Sequence, residues 1–285
     1  MSEVKLSVII VSWRVKDLLL QTIDSLYSTE QNIDFEVIVV DNASNDGSVE
    51  AVRKNYPQVI TLSNKENLGF AQACWQGVEL ARGDFFIFLN DDTKVLDNSL
   101  YFITKTLEEN ENYGVVGGMI LNPDETIQPS VRKFPKVKDF LVLLLKLQHL
   151  FPSLLNNYLE KNFNYQQSAQ VDQVMGAFFG TSRQVWNKLN GFDKNFFIWF
   201  EEVDFCLRAK QSGLLVYYQS AAKIIHYRRS SFKQLLALPE QILFNRSLFY
   251  YAKKHFKKID FYFLKVFEPI SLFLALLVQI LERKK

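Results

Sequence analysis

At 285 residues the chain is long enough for one large α/β domain with an appendage. A formal net charge of +2 gives no signal for nucleic acid as a partner. The two cysteines, Cys74 and Cys206, fall inside helical patterns without metal-site spacing, which argues against a disulfide framework and fits a reducing cytosol. Aromatic residues make up 14% of the chain, and 25 of them are Phe, which points to apolar surface meant for a partner or a membrane.

Residues 6–11 are a continuous apolar, β-branched run that predicts a buried strand, with Ser12 and Trp13 at its carboxyl end. The run is too short, and lacks the small-residue cleavage pattern, for a signal peptide. Leu19, Ile23, Leu26 and Tyr27 then share one helical face. Residues 35–40 predict a second strand running into Asp41 and a dense turn, where Asp46 or Ser48 caps a helix to about residue 55. Residues 59–62 predict a third strand. Asn67 and Gly69 lie in a loop before a helix that carries Ala71, Cys74, Trp75 and Val78 on one face.

Residues 85–89 are a fourth apolar run, and it ends abruptly in Asn90, Asp91 and Asp92. Strands and helices alternate up to this point, which predicts βαβ units and a parallel sheet. In such sheets the ligand lies beyond the carboxyl ends of the strands, so the polar tips at Ser12, Asp41 and Asn90 to Asp92 converge on one crevice if the strands are neighbours. Hard oxygen ligands suit Mg²⁺ or Mn²⁺ bridging a nucleotide diphosphate; the same residues also suit a plain turn. Asp41 is able to accept the imide N–H of uracil or thymine, or to serve as a cap. No glycine-rich phosphate fingerprint follows any of these strands, which counts against a Rossmann dehydrogenase and a P-loop enzyme.

Asn98 is placed to cap a helix with Leu100, Ile103 and Leu107 on one face, and residues 115–121 predict another strand in which Gly117 and Gly118 mark a bulge or a close backbone approach. Arg132 lies in a basic segment suited to an anionic acceptor or to a solvated loop. Residues 140–147 predict a core or surface-docking helix. Residues 174–180 are glycine-punctuated, which suggests backbone packed beside the site. Trp199 belongs to an aromatic run that leads into Glu201, Glu202 and Asp204, the first turn of a helix ending near Gly213. Acidic residues favour a helix start, yet a carboxylate against that aromatic wall is desolvated and becomes a candidate general base. Residues 214–218 predict a strand, and His226 beyond it is either structural or the completion of a Mn²⁺-type site.

The C-terminal segment is basic at 253–258, apolar with interruptions at 259–281, and basic again. Its clean apolar part, residues 270–278, is shorter than the roughly 20 residues needed to span a bilayer. The reading favoured is a helix lying in the interface of an anionic leaflet; a tilted span and a helix buried in a homodimer are the alternatives.

Taken in order, Ser7 to Trp13, the Asp41 turn, Asn67 to Phe70, Leu89 to Thr93, Gly176 to Phe178, Gly191 to Asp193 and Phe196 to Arg208 resemble glycosyltransferase family 2, especially its bacterial rhamnosyltransferase-like branch. The resemblance implies an α/β GT-A fold, a Rossmann-like, mostly parallel nucleotide-sugar-binding sheet flanked by helices, over residues 1–231, with a helical extension over 232–285. It implies that Asp41 reads the base of a UDP- or dTDP-sugar beside Ser12 and Trp13, with Asn67 and Gly69 near the ribose and diphosphate. Asn90, Asp91 and Asp92 occupy the DxD position, with Asp92, His226 and Asn90 as candidate ligands of Mg²⁺ or Mn²⁺. The Glu201–Glu202 pair stands where the family has Glu-Asp, so Glu202 is the expected base, with Glu201 as the other candidate. Arg132, Trp199 and Asp204 are weaker acceptor candidates. The expected reaction is inverting transfer to a saccharide or lipid-linked acceptor, at the cytoplasmic face of the inner membrane. A non-catalytic nucleotide-sugar-binding subunit and a sugar-nucleotide pyrophosphorylase are the competing readings.

Overall fold

The computed structural model describes residues 4–227 and 236–282. The first half alternates as expected: β1 (Leu6–Ser12), α1 (Lys16–Thr29), β2 (Phe35–Asp41), α2 (Ser48–Asn55), β3 (Ile60–Ser63), α3 (Phe70–Leu80) and β4 (Phe85–Asn90). The register sets Ser12 beside Asp41 and Val11 beside Asn90, so three polar strand ends emerge along one edge. Next come β5 (Thr93–Val95), α4 (Ser99–Glu109), β6 (Tyr113–Leu121), β7 (Val131–Arg132) and α5 (Val137–Leu144). β8 (Ala169–Val171), β9 (Gln173–Val174), β10 (Phe178–Ser182), α6 (Arg183–Lys188), α7 (Glu201–Gln211) and β11 (Leu215–His226) complete the sheet region. Three helices follow: α8 (Ala237–His255), α9 (Lys258–Lys265) and α10 (Glu268–Glu282).

The main sheet runs β3-β2-β1-β4-β10-β6-β11-β5, with β8 also on β11, and β7 and β9 form a separate pair. It is mixed: parallel through β3, β2, β1 and β4 and between β6 and β11, antiparallel at β10, β5 and β8. Period-two alternation splits the core between the two faces of the sheet. Val8 and Ile10 join α1 and α4 on one face, while Ile9, Phe86 and Phe88 join α3, α7 and α8 on the other. On that second face Phe88, Trp186, Phe192 and Phe205 form an aromatic knot, with Phe88 and Phe192 centroids 4.9 Å apart.

Two local expectations are refined. Asn98 adopts a left-handed conformation and makes no side-chain cap. The buried Glu30 carboxylate takes that role from the end of α1, accepting the Leu100 amide at 2.8 Å. Gly117 and Gly118 mark a close approach, while the register shift lies opposite them on β11, between Gln219 and Lys223.

The C-terminal segment divides in two. α8 buries Leu248, Phe249 and Tyr251 in the same core as α5 and α7. α9 and α10 leave Ile259, Tyr262 and Val266 exposed by 75%, 66% and 71%, and Phe263, Ile270, Phe273 and Leu277 are exposed on the same outward stripe. Residues 258–281 are long and apolar enough, by length and composition alone, to cross a membrane, more than residues 270–278 by themselves suggest. The stretch is broken by a turn at 266–267, and Pro269 follows in the first turn of α10, where its missing N–H has no helical partner to lose.

A Cβ on Gly118 would fall 2.6 Å from the Ala222 carbonyl oxygen and 2.5 Å from the Phe178 ring, with backbone on one side unable to yield. Gly118→Ala is expected to destabilise the protein by about 1–3 kcal/mol through overpacking, read as a drop in denaturation midpoint with an unchanged m-value.

Candidate active site

The site is built along the edge where β2, β1 and β4 end. At the β2 tip Asp41 is buried; one carboxylate oxygen accepts the Ser44 amide at 3.2 Å and the other, Oδ1, has no hydrogen-bond partner. Beside it Asn42 donates to the Gly69 carbonyl at 3.1 Å and ties in the 64–69 loop. Asn67 accepts the Gly69 amide at 2.9 Å. Gly69 has φ +85°, and any Cβ there would collide with the Phe197 carbonyl, so only glycine lets this loop close on the aromatic run before α7.

At the β4 tip the Trp13 amide donates to Asp91 Oδ2 at 3.1 Å. Burial, and after it the neighbouring Asp92 carboxylate, push the Asp91 carboxyl up to about 8, against the Trp13 amide and the Ser12 hydroxyl. Asp91 therefore faces β1, whereas Asp92 faces the end of β11, with Oδ1 3.2 Å from His226 Nε2. Asn90 Nδ2 lies 3.2 Å from the same ring nitrogen. Asn90, Asp92 and His226 are thus brought together as anticipated from the sequence. Among the described residues no cluster of three His, Cys, Asp or Glu forms, so an ion here would draw its other ligands from a substrate.

The Asn90 backbone amide donates to the Ala177 carbonyl at 3.1 Å, and this bond sets the start of β10 beside the β4 tip. Gly176 lies against Glu202: a Cβ there would stand 3.5 Å from its side chain, an ordinary contact distance. Glu201 points to the core, where its charge is felt by Cys74. One oxygen of each glutamate is buried without a hydrogen-bond partner. Burial, then Glu202, raises the Glu201 carboxyl well above the usual carboxylate range. Burial also raises Glu202, while its own backbone amide and the Arg132 guanidinium pull it back.

Trp199 and Phe200 precede this turn with φ of 63° and 71°, a conformation rare for large side chains. Their rings pack on Phe244 of α8, and Ser247 of α8 donates to the Ile198 carbonyl at 2.6 Å. Asp204 is turned away from the crevice. It is fully buried and meets Arg208 at 2.8 Å and both Lys254 and His255 at 2.7 Å, which makes it part of the joint between α7 and α8 and removes it as an acceptor contact. Residues that sequence reasoning missed are Asn42, Gln128 and Phe197. Asn42 and Phe197 stood in motifs already noted; Gln128 carried no local signal, because its partner is distant in sequence.

The model of glycosyl transferase family 2 matches residues 7–183. The chain belongs to this family. Among curated relatives of this family 2 protein, N-acetylglucosaminyl-diphospho-decaprenol L-rhamnosyltransferase of Mycobacterium tuberculosis (strain CDC 1551 / Oshkosh) is 25% identical over 68% of the chain and 67% of the relative. Rhamnosyltransferase WbbL of Escherichia coli (strain K12) is 27% identical over 52% of the chain, which spans about half of that relative, 53%. A solved mannosyltransferase from Pyrobaculum calidifontis, in complex with GDP-Man and Mn²⁺, aligns with TM-score 0.60 at 18% identity, covering 95% of this chain and 72% of that one. GalNAc-T7 with UDP, GalNAc and Mn²⁺ aligns with TM-score 0.59 at 14% identity over 79% and 44%. The fold is that of the GT-A glycosyltransferases, and the chain is a rhamnosyltransferase-like glycosyltransferase of family 2.

The joint behind the site is sensitive to acid. Burial tends to raise Asp193, but the Lys254 ammonium and the Asn195 donors outweigh it and hold the carboxyl down at about 2. A depressed folded value stabilises above the ordinary carboxylate range of about 4, and that stability is lost as pH falls through about 2. Lys254→Met is expected to be less stable than wild type near neutrality, with the gap closing between about pH 4 and 2 in urea denaturation series.

Proposed function

We propose that this family 2 enzyme transfers a sugar, with inversion, from a UDP- or dTDP-sugar, dTDP-rhamnose among the candidates, to a hydroxyl of a saccharide or lipid-linked acceptor. The observation that carries this reading is the order of groups across one sheet edge. An open oxygen of Asp41 stands on β2, the Asp92–His226 pair at the ends of β4 and β11, and an open oxygen of Glu202 beyond Gly176. Buried polar atoms in native proteins ordinarily have partners, so unpaired acceptors gathered at one mouth fit a ligand that supplies donors.

In this reading Asp41 Oδ1 accepts the imide N–H of the base, and the Asn67–Gly69 turn admits the ribose and diphosphate at close range. Asp92 and His226, with Asn90 beside them, would hold Mg²⁺ or Mn²⁺, whose bound form supplies Lewis-acid stabilisation of the departing diphosphate. A carboxylate oxygen and a ring nitrogen facing each other at 3.2 Å suit such an ion. Glu202 takes the proton of the acceptor hydroxyl. The hydroxyl oxygen attacks the anomeric carbon from the face opposite the nucleotide, the bond to the diphosphate breaks, and the configuration inverts. Burial raises the proton affinity of Glu202 above that of an ordinary carboxylate, the direction a general base needs. Arg132, whose charge acts on Glu202, and Trp199 would line the acceptor side.

Residues 1–231 would carry the donor and acceptor chemistry, and 232–285 would bring it to the cytoplasmic face of the inner membrane. The relatives' decaprenol-linked acceptor and the outward apolar stripe of α9 and α10, headed by exposed Lys257 and Lys258, support a peripheral association with anionic lipid.

Thermal unfolding with UDP, dTDP and GDP, each with Mn²⁺, Mg²⁺ or EDTA, is expected to show a metal-dependent rise for UDP or dTDP. No rise with any nucleotide would sink the donor site. Glu202→Gln is expected to lower kcat by about 10²–10⁴ while keeping that nucleotide shift, and Glu201→Gln to lower it far less. On anionic liposomes, Ile259→Asp/Tyr262→Ser is expected to stay in the soluble fraction while wild type floats; equal flotation would overturn the docking role of α9.

A further inference from the structure

His226 is buried, and its ring is approached from both sides. Nδ1 lies 2.8 Å from Gln128 Oε1, while Nε2 faces Asn90 Nδ2 and Asp92 Oδ1, each at 3.2 Å. Behind Gln128 runs a chain of side chains along the turn that leaves β6. Gln128 Nε2 donates to Asn122 Oδ1 at 3.0 Å, and Asn122 Nδ2 donates to Thr126 Oγ1 at 2.9 Å. The Thr126 hydroxyl donates to Asp124 Oδ1 at 2.6 Å.

The direction of this chain is not free. Asp124 is held below the usual carboxylate range, by the Thr126 hydroxyl first, and so is ionised near neutrality and only accepts. Two oxygens at 2.6 Å need a proton between them, and the Thr126 hydroxyl has only one to give. Thr126 Oγ1 must therefore accept from the nitrogen of Asn122. Asn122 then offers its oxygen to Gln128, which must answer with its nitrogen. Turning the Gln128 amide over would set oxygen against oxygen at Asn122, and would also remove its donor from the His226 carbonyl, 3.5 Å away. Gln128 therefore offers its oxygen to Nδ1, which must carry the hydrogen. In neutral imidazole the other nitrogen is then an acceptor. At Nε2 the Asn90 amide nitrogen fits that assignment, while the Asp92 oxygen at the same distance can only accept, so two acceptors face each other where a cation would stand.

We propose that Asn122, Thr126 and Gln128 are positioning residues that lock His226 in its Nδ1–H tautomer and present the Nε2 lone pair to Asp92, as a ligand pair for a divalent cation. The cation part rests on the metal-assisted reading above; the tautomer part does not. Gln128 is buried and fixed by the Ile120 carbonyl accepting its backbone amide at 2.8 Å, so the ring is oriented by the fold before any ligand arrives.

The test uses the metal-free full chain. Long-range ¹H–¹⁵N spectra of the imidazoles at mildly alkaline pH, with His226 assigned through His226→Gln, are expected to show a pyrrole-like Nδ1 and a pyridine-like Nε2. Gln128→Met is expected to lose this pattern, whereas Gln128→Glu keeps it because a carboxylate also accepts from Nδ1. Thr126→Val, at the exposed end of the chain, folds without disturbing the core and is expected to shift the pattern partway. A wild-type Nε2–H pattern, or an unchanged pattern in both Gln128→Met and Thr126→Val, would overturn the relay. Mn²⁺ binding in the presence of UDP, followed by loss of the free-ion electron paramagnetic resonance signal, is expected to weaken about 10–100-fold in Gln128→Met and only slightly in Gln128→Glu. Should the tautomers behave as expected while wild type binds no Mn²⁺, the relay stands and the metal-assisted reading falls.

Discussion

The structure depends on holding carboxylates, at the end of β2 and the start of α7, out of water without satisfying all of their oxygens. Asp41, Glu201 and Glu202 each keep one buried oxygen without a hydrogen-bond partner. An unpaired buried acceptor costs on the order of 1–3 kcal/mol, more when charged, and native folds rarely keep several together. The surrounding sheet supplies the compensation: apolar strands buried on both faces, and an aromatic knot of Phe88, Trp186, Phe192 and Phe205 beneath the crevice. Strain is concentrated nearby as well, in the left-handed backbone of Trp199 and Phe200. Buried oxygens without hydrogen-bond partners and local strain thus fall close together at this end of the sheet.

That arrangement explains why the C-terminal helices matter to the catalytic body. α8 is bound to the site from behind: Phe244 supports Trp199 and Phe200, Ser247 holds the Ile198 carbonyl, and Lys254 and His255 meet Asp204. A surface ion pair contributes little, but Asp204 is fully buried, and its charge in the core is compensated by Arg208, Lys254 and His255 together. The helices that carry the exposed apolar stripe are thereby mechanically continuous with the turn that carries Glu202. Attachment of α9 and α10 to a surface would orient the crevice relative to that surface.

Membership of glycosyl transferase family 2 and likeness to GT-A structures fix the class of chemistry, while the particular residues here give it a local character. A glutamate in the second acidic position reaches further than an aspartate. It lies against Gly176, and Arg132 is close enough for its charge to act on it. The first position of the β4 tip is an amide, Asn90, and its nitrogen faces His226 rather than open solvent. An amide there serves the ring as a hydrogen-bond donor, which a carboxylate cannot do.

The sequence by itself determined the elements whose cause is local. β1, β2 and β4 are apolar runs that are buried whatever lies around them, and their polar tips follow directly, so Asp41, Asn90 and Asp92 were legible as one crevice once the alternation implied a parallel sheet. The Glu201–Glu202 pair was legible for a similar reason, an acidic turn against an aromatic wall. Tertiary structure alone decided which way each side chain faces. Asp91 and Asp92 are neighbours with opposite partners, and Asp204 shares a turn with Glu201 yet belongs to another joint. It also decided that β10 enters the sheet antiparallel between β4 and β6, that Glu30 rather than Asn98 caps α4, and that Gln128 stands behind His226, 98 residues away along the chain. Such pairings arise when distant segments are packed against one another. A hydrogen bond depends on angles and distances of tenths of an ångström, and no periodicity in the sequence encodes them.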